Sequence, residues 1–264
     1  KNKRKTHSFL EDFSSNISMV ESEFSPRTHR VSCEPFYDEE LTDANISKIK
    51  NFVTSCITND IWGCSVPINI SKSFTNSEKS NIVQEIISSG GFVNLIPTDF
   101  SDGEDYLNYN SVAFCSKTIL KISEGNPIDN FNLGIASSIP IKTPFFPMAN
   151  AKVDKEILIG LEIIPRMLDL VKEGLRMDMN SLRDHILNGL FEDICKIEKY
   201  YKNFAKINKY KYGGIDLSLA PYPYPLEDQS VIPLIENIGN IGRSRGESLY
   251  EFGMPGTIFI NSFI

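Results

Sequence analysis

The sequence contains no apolar run approaching the ~20 residues that a membrane-spanning helix needs. Its first residues, Lys1-Asn2-Lys3-Arg4-Lys5, lead into polar sequence instead of a signal-peptide apolar region, so a soluble cytoplasmic protein is expected. The five cysteines, Cys33, Cys56, Cys64, Cys115 and Cys195, are odd in number and never fall as CxxC. That argues against a disulfide framework and a zinc site, and predicts reduced thiols mostly packed inside. No dinucleotide glycine pattern, Walker loop or His-rich metal spacing occurs, so no nucleotide or metal cofactor is signalled and the cofactor is left unassigned. His7, His29 and His185 lack partners at ligand or triad spacing; Asp184 adjoins His185, but a helix points neighbours apart.

Positive charge is also in short supply. With 27 Lys and Arg against 34 Asp and Glu, the net charge is −7, which argues against a surface built to bind nucleic acid. One stretch differs: Lys196, Lys199, Lys202, Lys206, Lys209 and Lys211 recur mostly every three or four residues, with Tyr200, Tyr201 and Phe204 between them. This reads as the solvated stripe of a helix, with nucleic-acid binding as the alternative.

What is present is enough apolar sequence for a large core. At 264 residues and 41% hydrophobic, residues 1–264 read as a single α/β domain. The chain starts without methionine and Thr257 to Ile264 read as the opening of a helix, so a longer gene product is expected.

Helical and extended periods alternate along the chain. Phe9, Phe13, Ile17 and Val20 share a helical face, and residues 27–33 read as extended. Thr42 is a plausible N-cap for a helix burying Ile46, Ile49, Phe52, Val53 and Cys56. Residues 62–70 alternate with period two, although Pro67 should place that strand at an edge or a bulge. A helix with Ile82, Val83, Ile86 and Ile87 closes at Gly90-Gly91, and residues 92–96 form the next strand. After an acidic loop at 99–105 come a helix with Val112, Ile119 and Ile122, ending near Gly125-Asn126-Pro127, and a strand over 131–141.

Three prolines between Pro140 and Pro147 make that segment a stiff loop. Phe145 and Phe146 within it are expected to line a pocket or cover the sheet end, because two adjacent exposed phenylalanines are unfavourable. Residues 157–162 read as a strand meeting a helix at Pro165, with Glu162 at the junction. A long helix is expected from about 180 to 208, and a shorter one over Val231 to Ile238 despite Pro233. Between them, Gly213-Gly214 reads as a turn feeding a short buried strand that carries Asp216 and Ser218 before Pro221.

Side chains converge at strand ends where backbone pairing stops, which makes Asp216, Ser218 and Glu162 the candidate catalytic residues. Two carboxylates in different surroundings divide acid and base roles or bind a divalent cation. Asp216 reads equally as an Asx-turn residue or helix cap, and Glu162 as a helix N-terminal carboxylate. Arg243 and Arg245, in the loop Gly239 to Gly246, suit an anion or a surface hairpin. Gly256 and Thr257, in Gly253-Met254-Pro255-Gly256-Thr257, lead into a helix start whose free N–H groups suit an anion or oxyanion.

The stretch Gly214 to Pro221, the Pro144-Phe145-Phe146-Pro147 loop, Gly160-Leu161-Glu162 and Gly253 to Thr257 resemble, in order and spacing, the uncharacterised family called domain of unknown function 711. The resemblance covers about Phe92 to the C-terminus, and earlier rests on element order and the extended segment Val31 to Phe36. It implies an α/β barrel like that of pyruvate formate-lyase and other glycyl-radical enzymes. The Arg-Val-x-Gly-aromatic loop and relay cysteine of those enzymes are missing, since Arg243-Ser244-Arg245-Gly246-Glu247 is a different motif. Radical chemistry is therefore not expected. Two function classes follow: a non-radical enzyme acting on a small polar metabolite by acid/base chemistry, or a non-catalytic metabolite-binding or regulatory protein. A homo-oligomer is expected, with no membrane partner.

Overall fold

Residues 63–69 form an inner strand of the first half of the chain, with residues 63–68 buried on both faces. In the computed structural model the described residues are 24, 26–37, 40–70, 77–99, 106–107, 109–136, 144–149, 151, 155–219, 230–241 and 249–254. The helix expected around Phe9 to Val20 and most of the acidic loop lie outside them. Two compact units are present, Lys1–Glu156 and Ile157–Ile264.

In the first unit, β1 (Arg30–Ser32), β2 (Gly63–Asn69), β3 (Phe92–Ile96) and β6 (Leu133–Ile135) form a parallel sheet in that order. β4 (Thr98–Asp99) and β5 (Tyr106–Leu107) make a small antiparallel pair. The crossovers carry α1 (Asp43–Thr58), α2 (Ser77–Ser88) and α3 (Tyr109–Gly125). Cys64, Val66 and Ile68 share one face of the sheet with Val31, Val93 and Leu95, against Val53 and Cys56 of α1, Val83 and Ile86 of α2, and Phe114 and Ile122 of α3. A single direction of strand progression with one handedness of crossover puts all three helices on that face.

The local signals for these elements are physical. Thr42 caps α1 through its hydroxyl, which accepts from the Asn45 N–H, and Gly90 ends α2 with φ of +88°. The strand expected over 131–141 is shorter. Pro127–Asn132 winds instead into a 3-10 helix capped by the Asn126 side chain, leaving only Leu133–Ile135 extended and residues 137–141 outside the described set.

Pro67 does not sit at an edge: β2 lies between β1 and β3. The bulge half of the expectation is met in the facing chain. Cys33 continues the register of Ser32 with Ser65, yet Phe36 bridges Ile68, so three steps there oppose two on β2. Pro67 has no N–H to give the Cys33 carbonyl at the regular rung, and the ladder resumes one residue late, with Phe36 N–H donating to the Pro67 carbonyl over 2.9 Å. The N–H of Ala151 takes up the Cys33 carbonyl instead, at 3.0 Å.

The second face of the sheet carries Ser65, Phe92, Asn94 and Gly134, and the Pro-Phe-Phe-Pro segment lies on it. The Ser65 hydroxyl donates to the carbonyls of Pro147 (3.0 Å) and Ala149 (2.5 Å), and the Asn94 amide donates to the Met148 carbonyl at 3.2 Å. Gly134, beside Asn94 in register, leaves room for it: a Cβ there would lie 2.9 Å from Met148 Cγ and 3.0 Å from Pro147 Cγ. Residues 144–149 and 151 thus belong to a strap fastened at Ser65, Asn94 and Cys33.

In the second unit, β7 (Glu156–Glu162) pairs with β8 (Lys211–Ser218), and α4 (Ile164–Glu173), α5 (Met179–Ile207) and α6 (Val231–Gly239) build a separate core. Leu168, Val171, Leu182, Ile186, Leu234 and Ile238 interlock there. The Asp178 carboxylate caps α5, accepting from the N–H groups of Asn180 and Ser181 at 3.0 and 3.1 Å. Hydrogen bonds from the Ser181 hydroxyl and backbone hold its pKa below the ordinary carboxylate value. Pro233 is accommodated in the first turn of α6, where its missing N–H breaks no helical bond.

Candidate functional site

β8 differs from the expected turn and buried strand. Gly213 and Gly214 lie inside it, and its residues are half-buried to exposed, Leu217 by 44%. Gly214 has φ of +119°, and a Cβ added to it would meet nothing within 4 Å, so the backbone conformation, not space, calls for glycine. The kink also shifts the alternation. Tyr212 lies under Lys202 of α5, 5.7 Å from nitrogen to ring centre, and Leu217 five residues later turns toward α5 again. Regular pleating would send residues an odd number apart to opposite faces.

Downstream of the kink, Asp216 is half-buried and, by alternation with Leu217, stands on the strand's other face. Ser218 is the last residue of β8; its side chain lies outside the described set. Glu162 ends β7, separated from α4 by Ile163 alone, and is exposed. The pairing of β7 with β8 brings the strands bearing the two carboxylates side by side. Arg243, Arg245, Gly256 and Thr257 lie outside the described residues. Among the described residues no three His, Cys, Asp or Glu side chains gather to hold a metal ion.

Phe145 and Phe146 belong to the strap of the first unit and are half-buried, in keeping with a covering role. Phe146 meets Phe92 edge-on at 5.2 Å, and Phe92 in turn lies 5.1 Å from Trp62. The Arg30 guanidinium sits 4.5 Å from the Trp62 ring centre and 5.2 Å from that of Phe146. Such contacts are worth about 0.5–1 kcal/mol each at exposed positions, enough to orient the strap but less than its hydrogen bonds to buried partners. This cluster draws on four separate segments, so spacing along the chain carries no sign of it. Asn94 was missed too, though a lone polar residue inside Phe92-Val93-Asn94-Leu95-Ile96 is a readable signal. Asn94 is fully buried and its Oδ1 has no hydrogen-bond partner among the described residues.

His185 acquires an acid that local spacing did not offer. Its Nε2 lies 3.2 Å from Glu173 Oε2, at ion-pair distance but without hydrogen-bond alignment. Arg166 joins the same group: its Nε donates to Asp193 Oδ2 at 2.7 Å, and a terminal nitrogen lies 3.5 Å from Glu173 Oε1. The Asp193 hydrogen bond is the main reason the guanidinium pKa rises above its ordinary value. These ion pairs clamp α4 to α5, and being largely exposed they add little to stability.

Alternating strands and helices, with a parallel sheet whose helices share one face, define an α/β protein. Glu162 and Asp216 sit on its neighbouring strands β7 and β8. The chain belongs to the family described as Uncharacterised ACR (DUF711), which it matches over residues 14–264. The match therefore extends well before Phe92. No curated protein and no solved structure matches the chain.

Proposed function

We propose that the protein is a non-radical enzyme acting on a small polar metabolite by acid/base chemistry, with Asp216 as base, Glu162 as its partner and Ser218 as an oxyanion donor. The observation that carries this reading is the pairing of β7 with β8, which sets the strands of Glu162 and Asp216 side by side, the first carboxylate exposed and the second half-buried. Carboxylates in unequal surroundings are suited to separate acid and base roles. An anion-holding turn at Gly256 and Thr257, and anion contacts from Arg243 and Arg245, belong to the same proposal.

The finer fold, a closed barrel of the pyruvate formate-lyase kind, is proposed with it. Four parallel strands in sequential order with helices on one face support that reading, because a barrel wall is wound in this way. Radical chemistry has no place in it, since the sequence lacks the glycyl-radical loop. A doublet in the electron paramagnetic resonance spectrum after anaerobic activation would contradict this. Self-association is supported by apolar side chains on α3 and the following 3-10 helix, including Leu120 and Phe131, the latter 75% exposed. Light scattering that finds a monomer at every concentration sinks that part.

The function is tested by incubating the protein with a metabolite pool and following consumption by mass spectrometry. Turnover should be abolished in Asp216→Asn with the circular dichroism spectrum unchanged. Undiminished turnover in that variant removes Asp216 as the base, and ligand retention without turnover in the unaltered protein favours the non-catalytic alternative.

A further inference from the structure

The second unit has an apolar groove where α4, α5 and the distal half of β8 meet. Its volume is about 250 Å³, and Ile163, Met167, Ile186, Leu190, Leu217 and Leu219 line it. Leu217 and Leu219 are 44% and 43% exposed, and Leu187 on the rim is 52% exposed, so the groove opens to solvent. Isolated exposed leucines are ordinary, but three around one concavity make a continuous apolar surface.

Among the described residues, one lining residue is charged. Arg183 of α5 is exposed, and no carboxylate lies within ion-pair distance of it among the described residues. Its neighbour on the other side of the helix, His185, is engaged with Glu173, and Arg166 with Asp193, so Arg183 stands apart from the ion pairs that join α4 to α5. On a chain of net charge −7, a cation without a carboxylate partner at the mouth of an apolar groove selects ligands by charge. A guanidinium also offers a paired donor geometry that matches a carboxylate.

We propose that this groove binds a small aliphatic carboxylate, the chain lying against Met167, Leu190 and Leu217 and the carboxylate on Arg183. The proposal is independent of the acid/base reading, because Asp216 occupies the opposite face of β8 from the leucines that line the groove. Its volume lies just below the usual range of ligand pockets, ~300–1,000 Å³, which suits one short chain.

Titration of the full chain with octanoate, followed by calorimetry, tests this, with octan-1-ol as the uncharged comparison. Saturable binding of octanoate is expected. Arg183→Gln should weaken it about tenfold or more while leaving octan-1-ol binding within about twofold, as expected for loss of one charge-assisted contact. Leu187→Glu should abolish octanoate binding without lowering Tm, since Leu187 is exposed. The proposal is overturned by absence of saturable octanoate binding. It is overturned equally by an Arg183→Gln variant that binds both probes as the parent does, or by a dimer that Leu187→Glu dissociates, which would make the groove a surface between copies. Failure here leaves the Asp216→Asn experiment undecided, and the reverse holds.

Discussion

The backbone N–H of Ala151 donates to the carbonyl of Cys33 at the rung that Pro67 leaves open. A regular parallel ladder would fill that rung with the N–H of the residue at position 67, and proline has none. The chain thus uses a missing donor inside a sheet as the attachment point for a loop more than 80 residues further on.

Restoring the donor should therefore release the strap. In Pro67→Val the new N–H competes for the Cys33 carbonyl, and amide exchange at Ala151 should quicken by about an order of magnitude, since a displaced net hydrogen bond of about 1.4 kcal/mol corresponds to a tenfold change. Exchange within α1 should stay as it is. Unaltered protection of Ala151 would show that the strap is held elsewhere.

Ser65 is the stronger fastening. Its buried hydroxyl serves two strap carbonyls, and Ser65→Ala leaves both without that donor. The expected loss is about 1–3 kcal/mol in urea unfolding, the cost of stranding buried acceptors. A loss below about 0.5 kcal/mol would mean that water replaces the hydroxyl.

Gly134 tests the strap from the opposite side. Gly134→Ala pushes a methyl against Met148 and Pro147, and overpacking of this kind costs about 1–3 kcal/mol. Met148 is the flexible neighbour, so combining the change with Met148→Ala should recover part of the loss, a coupling of about 0.5–1 kcal/mol in a double-mutant cycle. Strict additivity would place the strain on Pro147 alone.

The thiols should report their surroundings. Cys195 is exposed, whereas Cys56, Cys64 and Cys115 are buried, so a disulfide reagent should modify Cys195 first in the native protein and all five cysteines after unfolding. Burial pushes the Cys115 thiol up to about 12, and Cys64 is raised by hydrogen bonding to Cys33, 4.0 Å away between sulfurs, then to Cys56, and by burial. Both thiols stay protonated in the folded chain where an unfolded one, with an ordinary value of 9.0, has ionised. The unfolded state then holds fewer protons, so stability is fully present below pH 9 and declines as pH climbs toward 12. Cys115→Ala should flatten that decline in unfolding measurements between pH 8 and 11.

Much of the fold was legible because it follows from local rules. The Thr42 cap, the Gly90 stop, the period of residues 62–70 and the first-turn proline at 165 act over a few residues, and the elements they predict are present. The misreadings share a cause. Gly213-Gly214 has turn composition, but only a paired neighbour strand could keep Gly214 extended at positive φ within β8. Pro67 argued for an edge or a bulge; the edge half fails because the strap supplies its missing rung from residue 151. His185 lacked an acid nearby in sequence and found Glu173 on the preceding helix.

The sequence by itself determined the alternation of strands and helices, the apolar face of the parallel sheet, the reduced and mostly buried cysteines and the family. Hydrophobic period and capping chemistry are properties of short segments, which is why they survive without a structure. Tertiary structure decided which polar residues meet. Ser65 with the carbonyls of 147 and 149, Arg30 between Trp62 and Phe146, and Arg183 at the mouth of a leucine-lined groove all join segments remote in sequence. No spacing rule encodes such contacts, because strand register and helix packing create them.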